Sequence, residues 1–428
     1  MTQATCRGMS ALRGGARSAA GSAVLWGLLA LACSSGSGQV EPPHDGTGGG
    51  AGSDATGGAG GEATGGSAGS LLECVPGALA QTARVTIPSP LVSVDRSIAA
   101  SAGTDDADKL VDGSYHVGNP VTFDLEEESP AWAAIEIGAG PTRLLLMWDD
   151  GGWTDYDDAS SDAPAAYRIE TSADSTDGSD GEWTEVVSVT DNTVRSRAHS
   201  FDFAGQTWVR LVLTEPVDGD SRIAIDEIAV HDLSDSGSDR PQDSWLIVGD
   251  SITKMAMDRE LNDADEFEGQ VRALHPSFDP IMLSAGIGGL TAGDGANHVE
   301  EWLELNPDFT YVGIAYGTND SWGNRSNSSL EQFRQNLVAI IEAVLADDRI
   351  PILARIPFAA TAVHTALPEF IAIIDELQAE YELPCGPDFY SYFIEHQDEL
   401  RDDGVHPTQE AERSINRLWA EAAAALYE

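Results

Sequence analysis

Four short apolar runs in the second half of the chain, each followed by a polar loop, constrain the fold most. They are residues 244–250, 281–285, 309–316 and 350–356. Stretches with helical periodicity lie between and after them, among them residues 329–345, 368–381 and 408–427. Apolar strands that alternate with helices are typical of a parallel sheet covered on both faces. The pattern therefore predicts a doubly wound, three-layer α/β fold for residues 243–428.

Polar residues suited to acyl transfer follow these runs. Ser251 ends the string Gly-Asp-Ser after the first run, and Asn319 lies in Gly-Thr-Asn-Asp after the third. Because the carboxyl ends of parallel strands meet at one edge of a sheet, these side chains are expected to lie together. A serine hydroxyl needs a base, and His406 is the candidate, since Asp403 can orient its ring from three residues away. Pro407 suits the first position of the helix that follows.

The loop at residues 286–291 follows the second run and is rich in glycine. Its backbone N–H groups can approach a substrate closely, because glycine has no side chain. The N–H groups of Ser251 and Gly289, with the amide of Asn319, are the predicted oxyanion hole. Gly288 remains an alternative donor.

Residues 241–428 resemble the SGNH (GDSL-type) hydrolases. The matching positions are Ser251 for the nucleophile, Gly289 and Asn319 for the oxyanion donors, and Asp403 with His406 for the closing Asp-x-x-His. Ser284 stands where members often carry Asn. The resemblance implies the three-layer SGNH fold and a serine esterase. The sequence has no motif with the ligand spacing of a catalytic zinc site, so neither a cofactor nor a catalytic metal is expected.

The start of the chain predicts export. Arg7, Arg13 and Arg17 precede an apolar stretch at residues 23–32, which is too short to span a bilayer, and Cys33 follows directly. Residues 1–33 resemble a bacterial lipoprotein signal with Cys33 as the lipidated residue, and an ordinary secretory signal is the alternative. The expected location is the outer membrane or cell surface, with contact to the membrane only through the lipid anchor. Residues 34–72, rich in Gly, Ala and Ser, are predicted to be a disordered linker.

Residues 73–234 have a different pattern of short alternating runs separated by Gly, Asp, Ser and Pro. The runs are residues 132–137, 167–171, 183–187, 199–203, 209–213 and 223–228. Period-two alternation predicts an all-β sandwich. The region resembles, over nearly its whole length, the discoidin or galactose-binding-like jelly-roll domains, and the matching stretches are residues 109–113, 167–172, 209–213 and 226–233. Residues 235–242 are the predicted interdomain linker.

One acidic segment of this region, residues 149–158, is a candidate binding loop. Trp153 and Tyr156 lie there among Gly and Asp residues, which is unusual for a core strand. The domains that the region resembles often bind sugars through aromatic rings on such loops, so both residues are carbohydrate-binding candidates. A structural calcium site is a competing interpretation, because clustered carboxylates suit that ion. A solvated acidic loop is the third.

The charge of the chain restricts its partners. It carries 71 acidic and 23 basic side chains, a formal net charge of −48. Nucleic acid is not expected as a partner because phosphate binding needs basic patches, whereas neutral carbohydrate fits the acidic chain. Cys74 and Cys385 can pair in an oxidising compartment, but their spacing does not decide this. The sequence does not determine the oligomeric state.

Together these features predict an exported serine esterase that hydrolyses O-acyl esters, most simply O-acetyl esters, on polysaccharide. A lipase or general acylhydrolase and a peptidoglycan O-acetylesterase are the enzymatic alternatives. A cell-surface carbohydrate-binding lipoprotein with an inactive hydrolase fold is the alternative outside the enzymes.

Overall fold

The computed structural model describes residues 74–152, 155–157, 162–217, 219 and 221–427. The predicted signal, Cys33, the linker and Trp153 lie outside the described residues. No helix in the described part of the chain has both the length and the apolarity needed to cross a bilayer.

The first elements form a β-rich region (residues 98–232), which a short helix α1 (Ala78–Thr82) precedes. Its strands are β1 (Ile98–Ala100), β2 (Val121–Asp124), β3 (Ala131–Glu136), β4 (Arg143–Asp149), β5 (Pro164–Ser172), β6 (Thr184–Val189), β7 (Ser196–Asp202), β8 (Trp208–Pro216), β9 (Arg222–Ile225) and β10 (Glu227–Asp232). They form antiparallel sheets in the orders β1-β3-β8-β5-β6, β10-β4-β7 and β2-β9.

The sheet β10-β4-β7 is buried on both faces. Alternate residues of β4 explain this: Leu144, Leu146 and Trp148 pack in the core of the β-rich region, whereas Leu145 and Met147 pack against the C-terminal half. A strand buried on both faces is continuously apolar, so period-two alternation does not detect it.

The C-terminal half is an α/β region (residues 244–427) with the parallel sheet order β12-β11-β13-β14. The strands are β11 (Ser244–Gly249), β12 (Ile281–Gly286), β13 (Tyr311–Ala315) and β14 (Ile350–Leu353). The helices are α2 (Ser251–Ala256), α3 (Phe267–Leu274), α4 (Ala292–Leu305), α5 (Thr318–Arg325), α6 (Leu330–Ala346), α7 (Leu367–Glu380), α8 (Phe389–Glu395) and α9 (Gln409–Ala424).

The central strand β11 has helices on both sides. Leu246 and Val248 pack with α4, α6 and α7, whereas Trp245 and Ile247 pack with α2, α3, α8 and α9. This alternation gives the three layers that the sequence predicts, as in the SGNH α/β fold.

Two local expectations from the sequence are wrong. The predicted strand at residues 223–228 is two strands in different sheets, separated at Asp226. Pro407 is not the first helical residue: Thr408 is the N-cap of α9, its Oγ1 accepts a hydrogen bond from Ala411 N–H, and the helix begins at Gln409. Pro407 instead accepts a hydrogen bond from Arg401 Nε through its carbonyl.

The ends of the described chain are held together. Cys74 and Cys385 form a disulfide, and Val85 forms an isolated parallel bridge with Tyr427. The segment before β1 therefore packs on the α/β region.

Candidate active site

A continuous chain of hydrogen bonds joins the predicted nucleophile to a carboxylate. Ser251 Oγ lies 3.0 Å from His406 Nε2, and His406 Nδ1 lies 2.7 Å from Asp403 Oδ2. Residues 155 positions apart in sequence thus meet, because β11 leads directly into Ser251 while the turn before α9 presents His406. Nδ1 must donate to the carboxylate, which leaves Nε2 as an acceptor for the serine proton.

The turn at residues 403–406 fixes the carboxylate. Asp403 Oδ1 accepts hydrogen bonds from the N–H groups of Val405 and His406, at 2.9 and 3.0 Å. Burial opposes ionisation of this carboxyl, but the hydrogen bonds from the His406 ring and the two N–H groups outweigh it and lower the pKa of Asp403 to about 2. The carboxylate is therefore charged across the neutral range and orients the imidazole.

Asp250, next to the nucleophile, holds the start of α2. Its Oδ1 accepts a hydrogen bond from Ile252 N–H at 3.0 Å, the usual role of an N-cap aspartate. Its side chain is buried, and burial raises its pKa to about 7. Ser251 consequently occupies the first turn of a helix at the carboxyl end of β11.

The glycine loop (residues 286–291) approaches α2 closely. A Cβ at Gly286 would lie 2.3 Å from Lys254 N, so only glycine permits this contact. Gly289 has φ +80° and open space around it, and no acceptor among the described residues lies within hydrogen-bond reach of its N–H group. Gly288 N–H is already engaged by Asp155 Oδ1 at 3.1 Å. Of the two candidate donors, Gly289 is the one that remains available.

Asn319 borders the same loop. Its Nδ2 donates to Leu290 O at 2.9 Å, which leaves the second amide hydrogen for a substrate. Ser284, at the position where the resembling family often carries Asn, accepts a hydrogen bond from Gly286 N–H through Oγ at 3.4 Å. The loop thus has a partner on each side of the predicted donor.

Sequence reasoning missed three supporting residues. Asp320 is fully buried, and its carboxylate accepts hydrogen bonds from Ala292 N–H and Ser328 Oγ, both at 2.9 Å. Asp155 and Lys254 pair with each other next to the glycine loop. Asp320 could have been noted as the last residue of the Gly-Thr-Asn-Asp string, whereas no local signal pairs Asp155 with Lys254.

Tyr156 is not the exposed aromatic platform that the sequence predicted. Its side chain is 1% exposed and packs in the hydrophobic core, and its Oη accepts a hydrogen bond from Asn306 Nδ2 at 2.6 Å. The ring is therefore covered by the α/β region and has no face free for a sugar. Trp153, the other candidate, lies outside the described residues.

No group of three or more His, Cys, Asp or Glu residues in the described part of the chain is arranged to hold a metal ion. The proposed calcium loop is only partly described, since residues 153, 154 and 158 fall outside it.

Residues 247–413 match the profile of the GDSL-like Lipase/Acylhydrolase family. Comparison with curated proteins finds no match.

Several solved structures are similar to part of this chain. A lipase/acylhydrolase from Enterococcus faecalis is 23% identical over 42% of this chain and 95% of its own, with a TM-score of 0.36. The acetylxylan esterase Axe2 from Geobacillus stearothermophilus is 20% identical over 44% and 95%, with a TM-score of 0.35. The psychrotrophic esterase EstA from Pseudoalteromonas sp. is 19% identical over 42% and 96%, with a TM-score of 0.36.

The matched segment contains Ser251, the glycine loop, Asn319 and the Asp403–His406 turn. Residues 247–413 therefore form a GDSL-like lipase/acylhydrolase domain, which is consistent with a carboxylic ester hydrolase.

Proposed function

We propose that the protein is an exported serine esterase that removes O-acyl groups, chiefly O-acetyl groups, from polysaccharide. The observation that carries the esterase assignment is the unbroken chain from Ser251 through His406 to Asp403, beside a glycine loop and an amide that can receive an oxyanion.

The proposed reaction has two stages. Ser251 Oγ attacks the ester carbonyl while His406 Nε2 takes its proton, and Asp403 stabilises the imidazolium. The negative oxygen accepts hydrogen bonds from Ser251 N–H, Gly289 N–H and the Asn319 amide. His406 then returns the proton to the leaving alcohol as the C–O bond breaks. In the second stage, water attacks the acyl-serine with the same base, which releases the acid and restores Ser251.

An exposed tryptophan near the site supports a carbohydrate substrate. Trp322 lies three residues after Asn319 in sequence, where α5 departs from helical geometry (ψ 138°), and its side chain is 48% exposed. Its ring packs edge-on against His364, with centroids 5.2 Å apart, which limits its motion. A fixed indole face matches the apolar C–H face of a sugar ring. The acidic chain also favours a neutral polymer over an anionic one.

Export is supported by two features. The basic and apolar segments before Cys33 have the order of a signal peptide. The disulfide between Cys74 and Cys385 suits an oxidising compartment. Mass spectrometry of the mature protein should show an N-terminus at Cys33 with acyl chains, and an unmodified N-terminus would contradict the lipid anchor.

Turnover of p-nitrophenyl acetate tests the esterase assignment. We expect Ser251→Ala and His406→Ala each to lower kcat by about 10⁴-fold or more, because nucleophile and base act as one unit. Ser277→Ala, at an exposed serine of the same region, should match the wild type. Equal rates for the wild type and Ser251→Ala would instead favour a binding protein with an inactive fold.

Acetate release from acetylated xylan, compared with hydrolysis of p-nitrophenyl palmitate, tests the substrate class. The wild type should prefer the xylan, and Trp322→Ala should lower kcat/KM on xylan by about tenfold, a loss of about 1.4 kcal/mol of stacking, with less effect on p-nitrophenyl acetate. Trp183→Ala, directly before β6, is the matched control. A preference for palmitate would assign a lipase instead.

A further inference from the structure

We propose that Asp155, from the β-rich region, is a positioning residue that holds the oxyanion hole of the α/β region in its productive geometry. The inference rests on the proposed esterase function and extends it: the first region completes the active site of the second.

Asp155 contacts both elements that supply backbone donors. Its Oδ1 accepts the Gly288 N–H at 3.1 Å and lies 2.5 Å from Lys254 Nζ. Gly288 directly precedes the donor Gly289, and Lys254 lies one turn after Ser251 on α2. One carboxylate therefore connects the glycine loop to the helix that carries the nucleophile.

The position of Asp155 is itself fixed. The next residue, Tyr156, is buried in the core of the α/β region and hydrogen-bonded to Asn306. The carbonyl of Tyr156 also accepts the Arg195 N–H at 3.3 Å, which ties the segment back to the β-rich region. A carboxylate next to such an anchor keeps its direction at little further entropic cost.

The glycine loop needs this support because glycine has the widest conformational freedom of any residue. Asn319 holds Leu290 on one side of Gly289, and Asp155 holds Gly288 on the other. Donors that are fixed before reaction stabilise the transition state without reorganisation. Without Asp155, the backbone at Gly288 and Gly289 can rotate, and the Gly289 N–H no longer points to the position of the oxyanion.

Charge balance explains the presence of Lys254. Burial opposes ionisation of Asp155, but its hydrogen bonds from Lys254 and Gly288 outweigh burial and lower its pKa below the usual value. The carboxylate is therefore negative beside a site where a second negative charge develops. Lys254 supplies the compensating positive charge.

Steady-state kinetics with p-nitrophenyl acetate tests the proposal. We expect Asp155→Ala to lower kcat by about 10- to 100-fold, part of the loss that follows removal of a whole donor, with KM within about twofold of the wild type. Asp155→Asn keeps an oxygen that can accept the Gly288 N–H, so it should recover most of kcat. The inhibition constant of benzeneboronic acid, whose serine adduct places a hydroxyl in the oxyanion hole, should rise in Asp155→Ala by the factor that kcat/KM falls.

Asp308→Ala is the matched control. Asp308 also joins the two regions: it accepts the Ser200 N–H at 3.0 Å and lies 3.9 Å from Arg143, but it does not touch the glycine loop. Its kcat should stay within about twofold of the wild type. Equal losses of kcat in Asp155→Ala and Asp308→Ala, or a loss confined to KM, would overturn the proposal.

Lys254→Met keeps the acceptor for Gly288 but removes the counter-charge, so kcat should fall about threefold or more. Wild-type kcat in Lys254→Met, with Asp155→Ala unfolded by circular dichroism, would also reject a positioning role. If Ser251→Ala retains activity, the esterase assignment itself fails, which is a separate outcome.

Discussion

The two regions of the molecule are both built on β-sheets, but they use the ends of their strands differently. In the α/β region the strands are parallel, so Ser251, the glycine loop and Asn319 follow the same edge of one sheet. In the β-rich region the paired strands are antiparallel, and their carboxyl ends alternate between two edges. Parallel strands thus bring reactive groups together, whereas an antiparallel region can support them through one loop.

The contact between the two regions is a hydrophobic core. Leu145, Met147 and Tyr156 of the β-rich region belong to the same buried cluster as the helices α4, α6 and α7. A second region that is joined in this way can fix the position of a side chain to the accuracy that catalysis requires. On this basis we expect the α/β region to carry the reactive groups and the β-rich region to hold them in position.

Asp403→Asn should have the largest effect, because it acts inside the hydrogen-bonded chain of the α/β region. An amide nitrogen at this position cannot accept from His406 Nδ1, so the imidazole takes the wrong tautomer. We expect kcat for p-nitrophenyl acetate to fall by about 10³- to 10⁴-fold. Asp402→Asn, at the exposed neighbouring carboxylate, should leave kcat unchanged. A loss below tenfold would show that the carboxylate is not needed to orient the base.

Asn319→Ala removes an oxyanion donor and the tether of the glycine loop together. The expected loss in kcat is about 10²- to 10³-fold with little change in KM. It should exceed the effect of Asp155→Ala, since a donor contributes more than its support. Asn297→Ala, at an exposed residue of α4, is the control. A larger loss of kcat for Asp155→Ala than for Asn319→Ala would mean that Asp155 does more than support a donor.

Tyr156→Ala tests whether the two regions unfold together. Removal of this buried ring should lower the free energy of unfolding by about 3–5 kcal/mol, and Tyr156→Phe should lower it by about 1 kcal/mol through the lost hydrogen bond to Asn306. Tyr167→Ala, an equally buried tyrosine inside the β-rich region, should cost a similar amount. Urea unfolding followed by tryptophan fluorescence should show one transition in each variant. Two separate transitions would mean that the regions are independently stable.

Glu266→Gln tests the smallest expected effect, the dependence of stability on pH. Burial raises the pKa of Glu266 to about 8, well above the value of about 4.3 in an unfolded chain. The folded state therefore retains a proton that the unfolded state has lost. The contribution of Glu266 to the free energy of unfolding is fully present below pH of about 4, and it disappears as pH rises through about 8.

Urea titrations at pH values from 5 to 9 measure how the free energy of unfolding changes with pH. The free energy of unfolding of the wild type should decrease over this range, and Glu266→Gln should decrease less steeply, because glutamine keeps an acceptor for Leu261 N–H but does not ionise. The exposed Glu300→Gln should follow the wild type. If the free energy of unfolding changes with pH equally in Glu266→Gln and the wild type, Glu266 does not keep its proton in the folded state.

Sequence reasoning succeeded where the local pattern of apolar residues itself determines the helix or strand. The helices predicted at residues 329–345 and 368–381 are Leu330–Ala346 and Leu367–Glu380, because each has a clear apolar face. The runs at residues 281–285 and 309–316 are β12 and β13. Ser251, His406 and Asp403 could be proposed together because short motifs carry them.

Sequence reasoning failed where residues are buried by segments that are distant in sequence. Strand β4 was missed because both of its faces are covered, which removes the alternation. The sequence predicts Tyr156 as a carbohydrate-binding candidate on a loop because acidic and glycine residues surround it, yet the ring enters the core of the α/β region. The pairing of Cys74 with Cys385 was left open for the same reason, since spacing carries no distance.

The α/β class of the second half and the residues proposed to hydrolyse an ester could be predicted from the sequence, because strand periodicity and reactive groups are local properties. Two features follow only from the folded chain: Gly289 rather than Gly288 has a free N–H, and a carboxylate of the β-rich region reaches the glycine loop. Such contacts depend on how two separate sheets pack through a shared core. No local pattern in either segment records that packing.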